Sequence, residues 1–120
     1  MNSYKDLKVY EKSYDLAKEL YVEAKGFPRD ELYGMTSQIK RASTSIPLNI
    51  AEGYGKGSVG KELLRFLMMA RGSCSEMEVL LDFSKDFEFI EKEKSEQYKE
   101  RYAEVGRMLT GLIKSVTTNL

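Results

Sequence analysis

The chain has 120 residues, 42% apolar and 32% charged, with one cysteine, no histidine and zero formal net charge. That length and composition describe one folded domain, residues 1–120, and exclude a disordered chain. The lone Cys74 excludes an intrachain disulfide, the missing histidine excludes a Cys/His zinc site and Ser-His or Cys-His catalysis, and no apolar run is long enough to span a bilayer.

The first amphipathic segment runs from about Tyr4 to Lys25. Leu7, Tyr10, Tyr14, Ala17, Tyr21 and Ala24 recur at steps of three and four, which predicts a helix with those residues on its buried seam. The opening residues Met1 to Asp6 lack the apolar stretch of a secretory leader, so a cytoplasmic location is expected by default. Gly26-Phe27-Pro28 ends the segment.

The second segment begins at Asp30 or Gly34, with Asp30 a candidate cap, and runs to Tyr54. Met35, Ile39, Ala42, Ile46, Ile50 and Gly53 form an apolar stripe. Beside it lies a polar stripe of Gln38, Arg41, Ser45, Asn49, Glu52 and Lys56. Pro47 falls inside the helical pattern, where its missing N–H leaves the carbonyl of Ser43 unpaired. A bend is expected there, eased by the hydroxyls of Ser43 or Thr44, and serving as a static kink or a hinge.

The third segment follows Gly55-Lys56-Gly57-Ser58 and ends near Asp86. Its seam is Leu63, Leu67, Ala70, Cys74, Met77, Leu81 and Ser84, widened by Phe66 and Met69. The glycines before it resemble a phosphate loop in composition only, because the spacing differs and no strand precedes them. The fourth segment begins near Glu91, with Glu91, Glu93 and Glu96 at the pole where carboxylates are favourable. Its seam is Tyr98, Tyr102, Val105, Leu109, Leu112 and Val116, and residues 117–120 are expected to fray.

Short connections force neighbouring helices to alternate in direction. The fold class read from the pattern is therefore all-α, an antiparallel up-down-up-down four-helix bundle with a Pro-kinked second helix. No metal or other cofactor is expected: Glu76 and Glu78 face different directions, and the Glu-x-x-His motif of di-iron bundles needs a histidine.

Charge is unevenly distributed. Residues 32–72 hold six basic and two acidic residues, whereas residues 73–104 hold five basic and ten acidic. Lys40, Arg41, Lys56, Lys61, Arg65 and Arg71 are the candidate nucleic-acid contacts, with Tyr33 and Tyr54 as aromatic neighbours. The competing reading is a solvated face with ion pairs. Gln38, Ser45, Pro47, Asn49, Glu52, Gly72 and Glu76 form a candidate structural network between the second and third helices, in which Glu76 accepts from Arg41 and Gly72 permits a close approach.

Together these residues carry a resemblance. Asp6-Leu7-Lys8-Val9-Tyr10, Phe27-Pro28, the run from Tyr33 to Ala42, Ser45-Ile46-Pro47 and Asn49-Ile50-Ala51-Glu52-Gly53 resemble the 23S ribosomal RNA intervening-sequence protein family, also called four-helix bundle proteins. Arg65-Phe66-Leu67, Ala70-Arg71-Gly72-Ser73, Glu76 and Leu112-Ile113-Lys114-Ser115 extend it. Tyr10 stands where the family often has tryptophan.

The resemblance implies a non-enzymatic antiparallel bundle that assembles as a ring, a homopentamer. It is similar to accessory proteins of diversity-generating retroelements, which bind nucleic acid and a reverse transcriptase through basic surfaces of a pentamer. The implied partners are further copies of itself, ribosomal or other structured RNA, and a reverse transcriptase or ribosomal component, with no membrane. One departure is charge, since those retroelement proteins are more basic than this neutral chain. The alternative is a structural or protein-interaction module without nucleic acid.

Overall fold

A computed structural model describes residues 3–120, so Met1 and Asn2 of the Met1–Asp6 opening lie outside the described residues. Four α-helices account for most of them: α1 Lys8–Ala24, α2 Met35–Gly55, α3 Gly60–Asp86 and α4 Lys92–Thr118. Short 3₁₀ turns at Tyr4–Asp6 and Arg29–Glu31 precede α1 and α2, and the described residues contain no strand. The fold is all-α, as the three-four spacing predicts, and the helices pack as a bundle with extents of 45 × 21 × 21 Å.

Each helix packs on its neighbours in sequence, and α4 closes on α1, while the backbones of α1 and α3 stay apart across the bundle. Contacts climb one helix as they descend the next. On α2 and α3, Arg41 meets Glu76, Ser45 meets Ser73, and Gly53 lies against Leu63. Across α1 and α4, Lys12 pairs with Glu104, Glu19 with Arg101 and Glu23 with Lys94. The α1–α2 and α3–α4 connections therefore share one end of the bundle, where the rings of Phe27 and Phe89 meet at 5.5 Å.

The stripes read for α2, α3 and α4 form the core, except that Met69, read as widening the α3 face, is 48% exposed, and Leu112 and Val116 near the end of α4 are only partly buried. Ile39, Ala42, Ile46, Ile50, Leu67, Ala70, Met77, Leu81, Tyr102, Val105 and Leu109 are completely buried. The stripe read for α1 needs correction. Val9, Ser13, Leu16 and Leu20 face the core, while Tyr14 and Tyr21 are 46% and 41% exposed. The helix carries two stripes at helical spacing, and the tyrosine one is only partly covered. Ser13 is tolerated inside because its hydroxyl donates to the Tyr10 carbonyl at 3.1 Å. The Tyr102 hydroxyl, also buried, has no hydrogen-bond partner among the described residues.

Local geometry explains the helix ends. The side chain that caps α2 is Glu31, not the expected Asp30: the Met35 N–H donates to Glu31 Oε1 at 3.0 Å. α2 continues as one helix through Pro47, and the hydroxyl of Thr44 donates to the carbonyl of Lys40 at 2.7 Å. α4 continues through Thr118, into the segment expected to fray.

At the end of α2, Gly57 adopts φ of 71° and the Ser58 N–H donates back to Gly53 at 3.1 Å. The end of α3 makes the same turn with Glu88 at φ of 65°, and the Phe89 N–H donates to Ser84 at 2.8 Å. A side chain there is strained by ~1–2 kcal/mol. Gly53 has a different constraint: a Cβ would meet Leu63 Cδ1 at 2.9 Å and Phe66 Cβ at 3.2 Å.

Two outcomes follow from these sites. Glu88→Gly raises stability by about 1 kcal/mol, while Gly53→Ala lowers it by about 1–3 kcal/mol, both read by urea unfolding. The Glu19–Arg101 hydrogen bond holds the Glu19 carboxyl below its ordinary 4.5. Its contribution is present above the unfolded-state value and is lost as pH falls through the lower folded value. Glu19→Gln is therefore less stable than the parent at neutral pH, by under about 1 kcal/mol for so exposed a pair, and the gap closes in acid.

Candidate functional site

The polar stripe of α2 faces α3 and splits into two parts. Inside, Ser45 and Ser73 share a hydrogen bond of 2.6 Å, and Asn49 Nδ2 donates to the Ser45 carbonyl at 2.8 Å and to its Oγ at 3.3 Å. The Ser45 oxygen has two lone pairs, so it can accept from Asn49 and still share a proton with Ser73 in either direction. These half-buried groups satisfy one another, which avoids the cost of burying them unpaired. At the rim, Arg41 donates to Glu76 at 2.7 Å, and Glu52 pairs with Lys56 at 3.3 Å one turn along the same helix.

The remaining candidates for the network stand apart from it. Gln38 is exposed. Pro47 is buried, but on the α1 side of α2 among tyrosines. Gly72 faces outward, and a Cβ there would meet nothing within 4 Å, so no helix of the same chain uses its close approach. Ser73, one residue on, is the α3 member that bonds across the seam.

The six candidate cations do not form one patch. Lys56, Lys61 and Arg65 gather at the α2–α3 turn. The Arg65 guanidinium lies 4.4 Å from the Phe66 ring centroid and the Lys56 ammonium 5.7 Å from it. Arg65 also reaches Met69 Sδ at 3.7 Å, beside exposed Lys61. Arg41 lies farther along α2, held by Glu76. Lys40 faces the opposite way, over the ring of Tyr21 at 4.9 Å on α1. Arg71 turns towards α4, where it donates to Thr110 at 3.4 Å in a shallow groove that also contains Arg107.

The residues 5–111 match the family described as 23S rRNA-intervening sequence protein. This chain belongs to that family. No curated protein matches it. The 23S rRNA-intervening sequence proteins are thus represented here by a four-helix bundle, in agreement with the resemblance of its motifs.

Among the described residues, no three His, Cys, Asp or Glu side chains cluster as a metal would require, and no helix is long and apolar enough to cross a membrane. Burial pushes the Cys74 thiol up to about 12, which leaves it protonated and a poor nucleophile at neutral pH. Phe66 was legible only as an apolar residue, and its role as a platform under two cations depends on the helix-to-helix turn. Arg107 was overlooked because it lies thirty-six residues from Arg71 in sequence and meets it only through the α3–α4 packing.

A double-mutant cycle on the seam has a definite expected result. Ser45→Ala and Ser73→Ala each destabilise, and the double variant is less destabilised than their sum, with a coupling of about 1 kcal/mol in urea unfolding.

Proposed function

We propose that this protein is a non-enzymatic, self-associating bundle that binds structured RNA, or a ribonucleoprotein, through the cations at the α2–α3 turn. The observation that carries the reading is the gathering of Lys56 and Arg65 over the Phe66 ring, with exposed Lys61 one turn before Arg65 on α3, at one end of the molecule. Of the three, only Lys56 has a carboxylate partner among the described residues. Guanidinium and ammonium groups held apart from carboxylates are available to phosphates, and neutralising each phosphate releases counterions. The family's description, which names 23S rRNA, supports ribosomal RNA as the kind of target.

Three cations on a neutral chain bind weakly. Assembly into a homopentamer multiplies the patch and converts weak contacts into avidity. Arg41, Lys40 and Arg71 have subordinate roles in this reading: the first is tied to Glu76, and the other two lie on different sides of the bundle. A ribosomal component or a reverse transcriptase would reach the RNA through the same cytoplasmic assembly. The second reading, a protein-interaction module, draws support from exposed Met68 and Met69 beside the same cations.

Gel shifts with ribosomal RNA fragments over a salt series test the proposal. The parent protein binds, and affinity falls steeply with salt. Lys61→Ala/Arg65→Ala weakens binding at least tenfold and lowers the salt slope by about 1–2, whereas Lys40→Ala changes it less than twofold. Absence of binding at low salt overturns the RNA reading and leaves the interaction module.

A further inference from the structure

A shallow groove runs between α3 and α4 on the half of the bundle nearest the α2–α3 turn, with about 370 Å³ of open space. Small residues make its floor, Cys74 and Ser75 from α3 and Ala103 and Gly106 from α4. Arg71 stands on one wall, and Arg107 and Thr110 on the other. The Arg71 guanidinium donates to the Thr110 hydroxyl at 3.4 Å, a neutral partner that occupies one of its five N–H groups. Arg107 reaches Glu100 at 3.4 Å, but both side chains are largely exposed, so the pair is weak. Glu78 closes the groove about two turns beyond Arg71, on the side away from the α2–α3 turn.

The charge around this groove is one-sided when every charged side chain of the two helices is counted. Residues 60–75 and 103–118, the half toward the turn, hold five cations and two carboxylates. Residues 76–86 and 92–102, the other half, hold five cations and seven carboxylates. Both carboxylates of the first half are engaged elsewhere: Glu62 accepts from Ser58 in the turn, and Glu104 pairs with Lys12 on α1. The five cations are Lys61, Arg65, Arg71, Arg107 and Lys114. Lys61 and Arg65 flank a hollow beside Met68, and exposed Lys114 lies one turn past Thr110 on the same side of α4. Of the five, only Arg107 has a carboxylate partner among the described residues. From Lys61 to Arg71 the stripe runs ~15 Å along α3 at 1.5 Å per residue.

We infer that the α3–α4 groove at Arg71 and Arg107 is a second phosphate-binding site, which takes a phosphodiester of an RNA strand that also lies on Lys61 and Arg65. This rests on the RNA reading proposed above and extends it from the turn along α3. Arg71, which plays a minor part at the turn itself, is central here. Guanidinium forks match the oxygens of a phosphate, and the two stand on opposite walls of one groove. The exposed hydroxyls of Ser75 and Thr110 donate beside them. A row of cations spread along a helix fits charge repeated along a backbone better than a single small anion. Glu78 and the carboxylates beyond it repel the strand and end its track. The groove therefore adds affinity and fixes direction, without reading base sequence.

Binding of ribosomal RNA fragments over a salt series, followed by fluorescence anisotropy, tests this site separately from the turn. Arg71→Ala/Arg107→Ala weakens binding at least fivefold at low salt and lowers the salt slope by about 1–2. Arg71→Lys/Arg107→Lys keeps the slope, because the charges remain, and loses less affinity. Lys92→Ala, which removes an exposed cation from the acidic half, changes binding less than twofold. All variants retain the helical circular dichroism of the parent. Unchanged affinity and slope in the alanine pair, with Lys61→Ala/Arg65→Ala still weakening binding, overturns this groove and leaves the turn reading standing. Calorimetric binding of inorganic phosphate that the alanine pair loses, together with an unchanged RNA slope, assigns the groove to the free ion and overturns the RNA contact. Polyglutamate held as tightly as RNA at equal ionic strength, and released by the alanine pair, overturns it in favour of an acidic protein partner. A parent protein that binds no RNA at low salt removes both sites together.

Discussion

The close approach of α2 to α3 at Gly53 controls where everything else in this molecule can sit. The missing side chain brings α2 against Leu63 and Phe66. With the backbones that near, Ser45 and Ser73 fall within hydrogen-bonding distance farther up the same seam, and Arg41 reaches Glu76. The apolar stripe of α2 is then completely enclosed, and Phe66 is fixed as the floor beneath Lys56 and Arg65. A wider seam would let water reach the serines and would detach the cations from their platform.

The distribution of charge reflects the same arrangement. On α3 the basic Lys61, Arg65 and Arg71 lie in the first half of the helix and the acidic Glu76, Glu78, Asp82 and Asp86 in the second, although the chain is neutral in total. A protein can be neutral overall and still present a positive end and a negative end, and it is the local field that a polyanion or a second subunit meets. Ion pairs between α1 and α4 are numerous and mostly exposed, so they add little energy, although they suit only one alignment of the two helices.

Much of this was legible in the sequence. The apolar residues of α2, α3 and α4 recur at intervals that admit only one buried face, and those faces are the core. The Arg41–Glu76 pair was readable because both residues lie on faces that short loops bring together. α1 was not, because its tyrosines count as apolar in any periodicity while Ser13, a core residue, does not. Two stripes rotated by about one residue compete there, and only the aliphatic one, through Leu16 and Leu20, is sealed. Lys40 and Arg41 are adjacent in the sequence and diverge in space, since a step of one residue on a helix turns the side chain by ~100°. Lys40 and Arg41 thus point to different neighbours.

The turn joining α2 to α3 has a consequence for how copies of this chain can associate. It is four residues long, with Gly57 and the first residue of α3, Gly60, both at positive φ. To exchange halves with another molecule, the chain would have to open this turn into an extended hinge, giving up the Ser58–Gly53 closure and the serine pair above it. Domain swapping is therefore a costly route to oligomers for this bundle. Contact between intact, folded subunits would leave that closure and the serine pair in place.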